Sequence, residues 1–378
     1  MSKRTIKIAV CGVGNCASAL IQGIEYYRHD PSLQEGLMHK NLGGYFPEDI
    51  EVVAAFDIDR RKVGHPLNEA VFALPNCVYP IWPDLSRVDS VTVQMGPILD
   101  GVAPHMKDFS PERTFLPARI KPVDVEKVLR DSQAEMMINY LPVGSSDAVR
   151  FYSRCCLNTG VSLINCMPEF IASDPEWESQ FKNRGIPLVG DDIKSQVGAT
   201  IIHRVLAHLF EERGVKIQQT YQLNTGGNTD FLNMLERSRL KNKKISKTEA
   251  VQSQLRQPLP ADHIHIGPSD YVPWQGDNKV CFLRLEAKNF CGVPMELEAR
   301  LSVQDSPNSA GVVIDAIRYC RVARDRRESG ALVPVSAYLM KHPPVQMEEG
   351  EARRLMEKYL KQKPPSLKAL SKKSVTPF

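Results

Sequence analysis

Lysines recur in three short polar segments of the second half of the chain: Lys243-Lys244-Ile245-Ser246-Lys247, Gly276-Asp277-Asn278-Lys279 and Tyr338-Leu339-Met340-Lys341. Lys243 and Lys247 are four residues apart, so on a helix they project from one face, where like charges repel. A helix with a purely structural role dilutes such a face with acids. Crowded ammonium groups depress one another's pKa, so one of them can be neutral near pH 7 and accept a proton. The others are then suited to hold an anionic substrate and an anion formed from it. Taken alone, the run reads more simply as a solvated basic face. A nucleic-acid surface is disfavoured, because aromatics are not interleaved with the lysines and the formal charge is only +4.

Other polar segments carry chemistry of their own. Cys11-Gly12-Val13-Gly14-Asn15-Cys16-Ala17-Ser18 lies between an apolar run and a helical pattern. A Gly-x-Gly turn there lets backbone amides approach a pyrophosphate that the helix N-terminus stabilises. Asp57 ends the next apolar run, where a carboxylate can accept bonds from the adenosine ribose and favour NAD over NADP. Arg60 and Arg61 follow it closely and leave that preference open. Asp191-Asp192-Ile193-Lys194-Ser195 ends a strand and opens a helix, with Asp192 or Ser195 available as a cap or toward a ligand. Leu223 to Asp230 is a Gly-rich polar turn before the lysine helix, and Asp305 to Gly311 follows an alternating strand, where Asp305 can cap a helix or face the nicotinamide. His263 and His265 share one strand face and read as an exposed edge.

Thr5–Val10, 50–56, 91–93, 136–141, 162–165 and 186–189 are apolar runs that alternate with helical patterns at 15–28, 123–132 and 145–158. Such alternation predicts an α/β, doubly wound parallel sheet. Residues 30–49 read as an insertion and 98–120 as an irregular, Pro-containing stretch. After about residue 195 the period changes. A helix at 196–213 precedes segments of period two at 281–288 and 295–303, which predict an antiparallel sheet, and a helix follows at 308–323. With 378 residues, 42% hydrophobic and 24% charged, the chain is long enough for two domains. Its nine cysteines include no CxxC pair, which suits reduced thiols in a cytoplasm and gives no zinc site of usual spacing. No apolar run reaches the ~20 residues of a membrane span, so no membrane partner is expected.

Gly-Asp-Asp-Ile-Lys-Ser at 190–195, Gly-Gly-Asn-Thr-Asp at 226–230, Lys-Ile-Ser-Lys at 244–247, Asp-Ser-Pro-Asn-Ser-Ala-Gly at 305–311 and Ser-Ala-Tyr-Leu-Met-Lys at 336–341, in that order, resemble myo-inositol-1-phosphate synthase in its short bacterial and archaeal form. The resemblance runs from the glycine turn to about residue 345. It implies a Rossmann-type NAD domain at 1–195, an α+β catalytic and tetramerisation domain at 196–307 and a return to the nucleotide domain at 308–345; beyond it, Pro343-Pro344, a charged helix and the lysines of 361–373 read from composition as a loosely held, flexible tail at 346–378. The implied reaction is redox-neutral: D-glucose 6-phosphate is oxidised at C5 by NAD, enolised at C6, closed onto C1 by an aldol step and reduced again. The implied catalytic set is Lys243, Lys247, Lys279, Lys341, Asp230 and Asp305; on physical grounds we expect Lys243 to be the proton shuttle at C5, Lys279 and Lys341 to contact the oxyanions and Lys247 to hold the phosphate. Gly12, Gly14, Asn15, Cys16, Asp57, Asp192 and Ser195 are the implied cofactor residues. The resemblance also leaves room for a divalent or monovalent cation and implies a homotetramer. An ordinary NAD-linked dehydrogenase of a sugar or semialdehyde, and a non-catalytic NAD-binding regulator, are the alternative readings.

Overall fold

The computed structural model describes residues 4–361, which build two sheets. In the first half strand and helix alternate: β1 (Ile6–Cys11), α1 (Asn15–His29), β2 (Ile50–Asp57), α2 (Leu67–Ala70), β3 (Val93–Met95), α3 (Val125–Asp131), β4 (Met136–Asn139), α4 (Ser146–Thr159), β5 (Ser162–Asn165), α5 (Pro175–Asn183), β6 (Pro187–Val189) and α6 (Ala199–Glu212). Next come β7 (Lys216–Gly226), α7 (Thr229–Asn233), α8 (Lys241–Gln252), β8 (Ile264–Tyr271), β9 (Asn278–Lys288) and β10 (Pro294–Gln304). The chain then returns through α9 (Asp305–Asp325), β11 (Gly330–Ala331), α10 (Val333–Leu339) and α11 (Glu349–Lys361).

The larger sheet runs β11-β6-β5-β4-β1-β2-β3, with every neighbouring pair parallel. Its central strands are apolar on both faces because helices cover both. Residues of α1 and α9 pack with the sheet in one core, residues of α3, α4 and α5 in the other. The chain moves outward from β1 to β3 and then crosses to β4 on the other side of β1. The carboxyl ends of β1 and β4 therefore flank the crevice where such sheets bind ligands.

The smaller sheet runs β10-β9-β7-β8 and differs from the antiparallel expectation. β9 pairs antiparallel with both β7 and β10, but β8 lies parallel to β7. Helices α7 and α8 form the crossover that a parallel pair requires, and alternation within a strand carries no information about its direction. β8 is an edge strand, and His263 and His265 at its start are exposed as expected.

The C-terminal expectation is also corrected. Residues 349–361 form the charged helix expected there, but it is packed rather than loosely held, with Ala352, Met356 and Tyr359 buried on one stripe. Its first residue, Glu349, meets Lys194 at 3.1 Å and Arg204 at 3.2 Å, cations that are only 2% and 0% exposed. The rest of the expected tail lies outside the described residues. The 98–120 stretch is irregular but anchored: Asp100 accepts from Asp147 N at 2.8 Å and Ala148 N at 3.0 Å, Asp59 accepts from Leu116 N at 3.0 Å, Arg61 donates to Pro111 O at 2.8 Å, and Arg113 reaches Pro273 O at 2.8 Å. Among the described residues no helix is long and apolar enough to cross a membrane.

Candidate active site

Just beyond β6 the chain turns at Asp192, whose φ of +61° is in the left-handed region that aspartate tolerates better than most residues. The turn is held by a returning segment. Asp191 N donates to His342 O at 3.0 Å and His342 N to Asp191 O at 3.0 Å; Lys194 N reaches Leu339 O at 2.9 Å and Lys341 N reaches Asp192 O at 2.7 Å. This pairing sets Lys341 beside Asp192 although 149 positions separate them.

Asp192 is the centre of the lysine group. Its Oδ1 accepts from Lys243 at 3.1 Å and from Lys341 at 3.0 Å, and its Oδ2 accepts from Ser246 at 2.6 Å. Lys243, Ser246 and Lys247 share the inward face of α8, while Lys241 and Lys244 are exposed. The basic run is therefore two populations, one solvated and one turned inward on the side of Asp192. From the other side, the β9–β10 register puts Lys279 opposite Val303, two residues before Asp305, and Lys279 Nζ meets Asp305 Oδ1 at 3.1 Å. Lys247 is 5% exposed, and no group among the described residues pairs with its ammonium. Asp230 enters from the start of α7, and its Oδ1 is buried without a hydrogen-bond partner.

These neighbours drive the titratable groups apart. Burial raises Asp192, but Lys243 and Lys341 outweigh it and hold the carboxyl well below its usual range. Burial lowers Lys243, yet Asp192 and Asp230 leave it above an ordinary lysine. Burial brings Lys341 down to about 8 against the pull of Asp192, helped by Lys243 and Lys279. Lys247 is pushed well below its usual value by burial and then by Lys279, Lys243 and Lys341. Burial raises Asp230; it also opposes the lowering of Asp305, which Lys279 achieves.

Asp192, Ser195, Asp230, Lys243, Lys247, Lys279, Asp305 and Lys341 line one cavity of about 100 Å³, together with Cys16. A neighbouring cavity is lined by Gly14, Asn15, Cys16, Asp230 and Asp305, and a third, apolar one by Gly12, Gly14 and Asp57 with Phe56, Ile98, Phe115 and Tyr152. All thirteen residues expected from sequence thus lie along three adjoining cavities. Asp192 is the one whose surroundings differ most from expectation, since lysines rather than the glycine turn surround it. Cys16 faces Ser306 at 3.8 Å, and burial pushes its thiol up to about 12, so it is a wall rather than a nucleophile.

The glycine turn fits a dinucleotide. Gly12 has φ +87°, and a side chain there would meet Tyr140 O at 2.6 Å, whereas a side chain on Gly14 would meet nothing within 4 Å. The turn is thus closed on the protein side and open at the N-terminus of α1, as a pyrophosphate requires. Asp57 is fixed by backbone donors: Val13 N at 2.7 Å, Ile58 N at 2.7 Å and Asp59 N at 2.8 Å. The open preference set by Arg61 is narrowed, because its guanidinium is taken by Asp59 at 2.5 Å and by Thr114 O at 2.7 Å. Among the described residues, no three His, Cys, Asp or Glu side chains gather at metal-binding spacing.

Several residues of the site escaped the sequence reading. Lys62 is buried against Val13 O at 2.8 Å and Asn76 Oδ1 at 2.9 Å, supporting the glycine turn from below. Asp191, back to back with Asp192, accepts from Asn165, Ile171 N, Ala172 N and Ser173, and folds the loop after β5 around itself. Ser246 was readable, because it lies three residues after Lys243 on the same helical face; the partners of Lys62 and Asp191 are too distant in sequence to be inferred.

Comparison with known proteins agrees with this geometry. The profile of the myo-inositol-1-phosphate synthase family matches residues 198–306, the stretch from the start of α6 to the start of α9. An inositol-3-phosphate synthase of Mycobacterium tuberculosis is 50% identical over 357 residues, covering 94% of this chain and 95% of its own. One of Corynebacterium glutamicum is 50% identical over 367 residues, covering 95% and 99%. The crystal structure of a myo-inositol-1-phosphate synthase-related protein from Thermotoga maritima superposes with a TM-score of 0.78 over 96% of this chain and all of its own, at 24% identity, and so supports the fold. With half of its residues shared over nearly the whole length of such relatives, the chain belongs to the myo-inositol-1-phosphate synthase family.

Proposed function

We propose that this chain converts D-glucose 6-phosphate into myo-inositol phosphate in a redox-neutral cycle that uses NAD. The observation that carries the reading is the cavity in which four lysine ammonium groups converge, two on Asp192, one on Asp305 and one on no group among the described residues. A single hydrogen transfer needs one acid–base residue, whereas an enolate followed by an alkoxide needs several fixed cations. The chemistry that bound NAD supplies is reversible oxidation of the sugar at C5.

The residues divide the remaining work. Lys247 has no partner of its own among the described residues and suits the phosphate dianion, and Ser195 and the first turn of α6, which no side chain caps, line the same cavity. Lys243 stays protonated and suits an anionic oxygen. Lys341, brought to about 8, has a neutral fraction near physiological pH and suits proton removal from C6. The expectation from sequence was different: it gave Lys243 the proton shuttle at C5 and Lys341 an oxyanion contact. Lys279 is held toward the cavity by Asp305 and serves the second oxyanion. Asp230, with a free buried oxygen, accepts a sugar hydroxyl or a nicotinamide amide. The proposed assembly is a homotetramer built on the smaller sheet, whose outer strand β10 is an unpaired edge of eleven residues. A reducing cytoplasm is the proposed setting, consistent with nine unpaired cysteines.

Incubation with glucose 6-phosphate and substoichiometric NAD, followed by phosphorus NMR and ultraviolet absorbance, tests the reading. An inositol phosphate formed without accumulating reduced cofactor is expected. Reduced cofactor rising in step with product would instead mean a dehydrogenase, and neither signal with tight NAD binding would mean a regulator.

A further inference from the structure

Asp277 contributes nothing to the cavity wall, yet three cavity-lining segments are tied to it. It is 3% exposed and sits in the turn before β9, two residues ahead of Lys279. Its Oδ1 accepts from Asn228 Nδ2 at 2.8 Å and from Ser306 Oγ at 2.8 Å, and its Oδ2 accepts from Ser306 N at 3.1 Å. Its carbonyl accepts from Asp305 N at 3.0 Å. Asn228 in turn caps α7 through Asp230 N at 3.0 Å and Phe231 N at 3.2 Å. One carboxylate, two residues before Lys279, thus joins the residue after Asp305 to the cap of the helix that presents Asp230.

We infer that Asp277 is the positioning residue that sets the distance between Lys279 and Asp305 and the direction of Asp230. The inference rests on the reading of the cavity given above. No cation pairs with Asp277 among the described residues, so it is satisfied by hydrogen-bond donors alone; burial, and then Asp305, push it up to about 6. A carboxylate kept without a counter-cation is a costly way to brace a turn. Its two oxygens, however, accept from three donors on two segments at once, which an amide of the same shape cannot do. Asp277→Asn keeps the volume but turns an amide toward Ser306 N or Asn228 Nδ2, so one of the two segments must swing away. Lys243, Lys341 and Asp192 share none of these bonds and keep their places.

The test pairs kinetics with covalent lysine labelling of the whole protein, read by peptide mass spectrometry. Asp277→Asn is expected to lower kcat by about a hundredfold, as a misplacement on the ångström scale does, while KM for glucose 6-phosphate changes by less than about threefold because Lys247 shares none of these bonds. Labelling of Lys279 should rise at least about fivefold as its ion pair opens, with Lys243 and Lys341 unchanged. Unchanged Lys279 labelling with near-normal kcat overturns the inference. A rise at all three lysines together, with loss of thermal stability, overturns it too, because the residue would then be serving the fold at large. Should Asp277→Asn not fold, Ser306→Ala removes one bond only and must move Lys279 labelling and kcat in the same directions, by less; no movement in that variant counts against Asp277. If the wild-type protein shows no turnover of glucose 6-phosphate, the proposed function fails, but the labelling of Lys279 still decides the role of Asp277.

Discussion

Lys243 and Lys341 touch the same carboxylate oxygen, yet their surroundings drive them in opposite directions. Lys341 is protonated below about 8 and neutral above it, so if it is the base, kcat should rise with pH through that value. Asp192 opposes the lowering of Lys341, so in Asp192→Asn the residual activity should show this limb at lower pH; a limb that stays put would take the role away from Lys341. Replacing Lys341 by Met should cost at least about a thousandfold in kcat, with NAD affinity by fluorescence unchanged. Lys247 gives a prediction of another kind. Its neighbours favour the neutral form, while a phosphate dianion favours the charged one, so binding should take up a proton and weaken as pH rises. Titration calorimetry with glucitol 6-phosphate, which lacks the C1 carbonyl, in buffers of different ionisation enthalpy should give about one proton per site; zero uptake would place the phosphate elsewhere.

At the level of elements, much of the site was legible where a local period or turn chemistry determines it. The glycine turn, the carboxylate at the end of β2 and the inward pair of α8 are readable from spacings of one to four residues. Asp192 was placed with the cofactor because nothing near it in sequence shows that residues 339–342 come back to pair with 191–194. The direction of β8 was hidden for a related reason, since it is set by the α7–α8 crossover rather than by the strand itself. Helix α11 was expected as a charged helix, but not its packing, although the stripe is readable: Ala352, Met356 and Tyr359 recur at helical spacing beneath a heavily charged surface. Its first residue neutralises two buried cations, Lys194 and Arg204. Glu349→Ala leaves both uncompensated and should destabilise by about 3 kcal/mol, read as a lowered Tm, with Lys194→Met largely restoring it. A Tm equal to that of the wild-type protein would show that α11 is held by its apolar stripe alone.

For the whole molecule, the smaller sheet faces outward with a pair that a monomer has no reason to display. Leu223 on β7 lies directly opposite Phe282 on β9, and each is 44% exposed. Arg284, flanked by Glu286, Glu296 and Glu298 at 2.7 to 2.8 Å, rims the same strands. An apolar centre with a charged rim is the anatomy of an interface. Sedimentation should find a mass near four chains, and the pair Leu223→Glu and Phe282→Glu should reduce it while NAD binding survives. A wild-type monomer would remove the proposed assembly. The pairing of residues 191–194 with 339–342 has a consequence in time as well as in space. The cavity gains Lys341 only after every strand of both sheets has been made. A copy stalled or clipped before residue 341 lacks this ammonium and leaves Asp192 with Lys243 as its one lysine partner among the described residues.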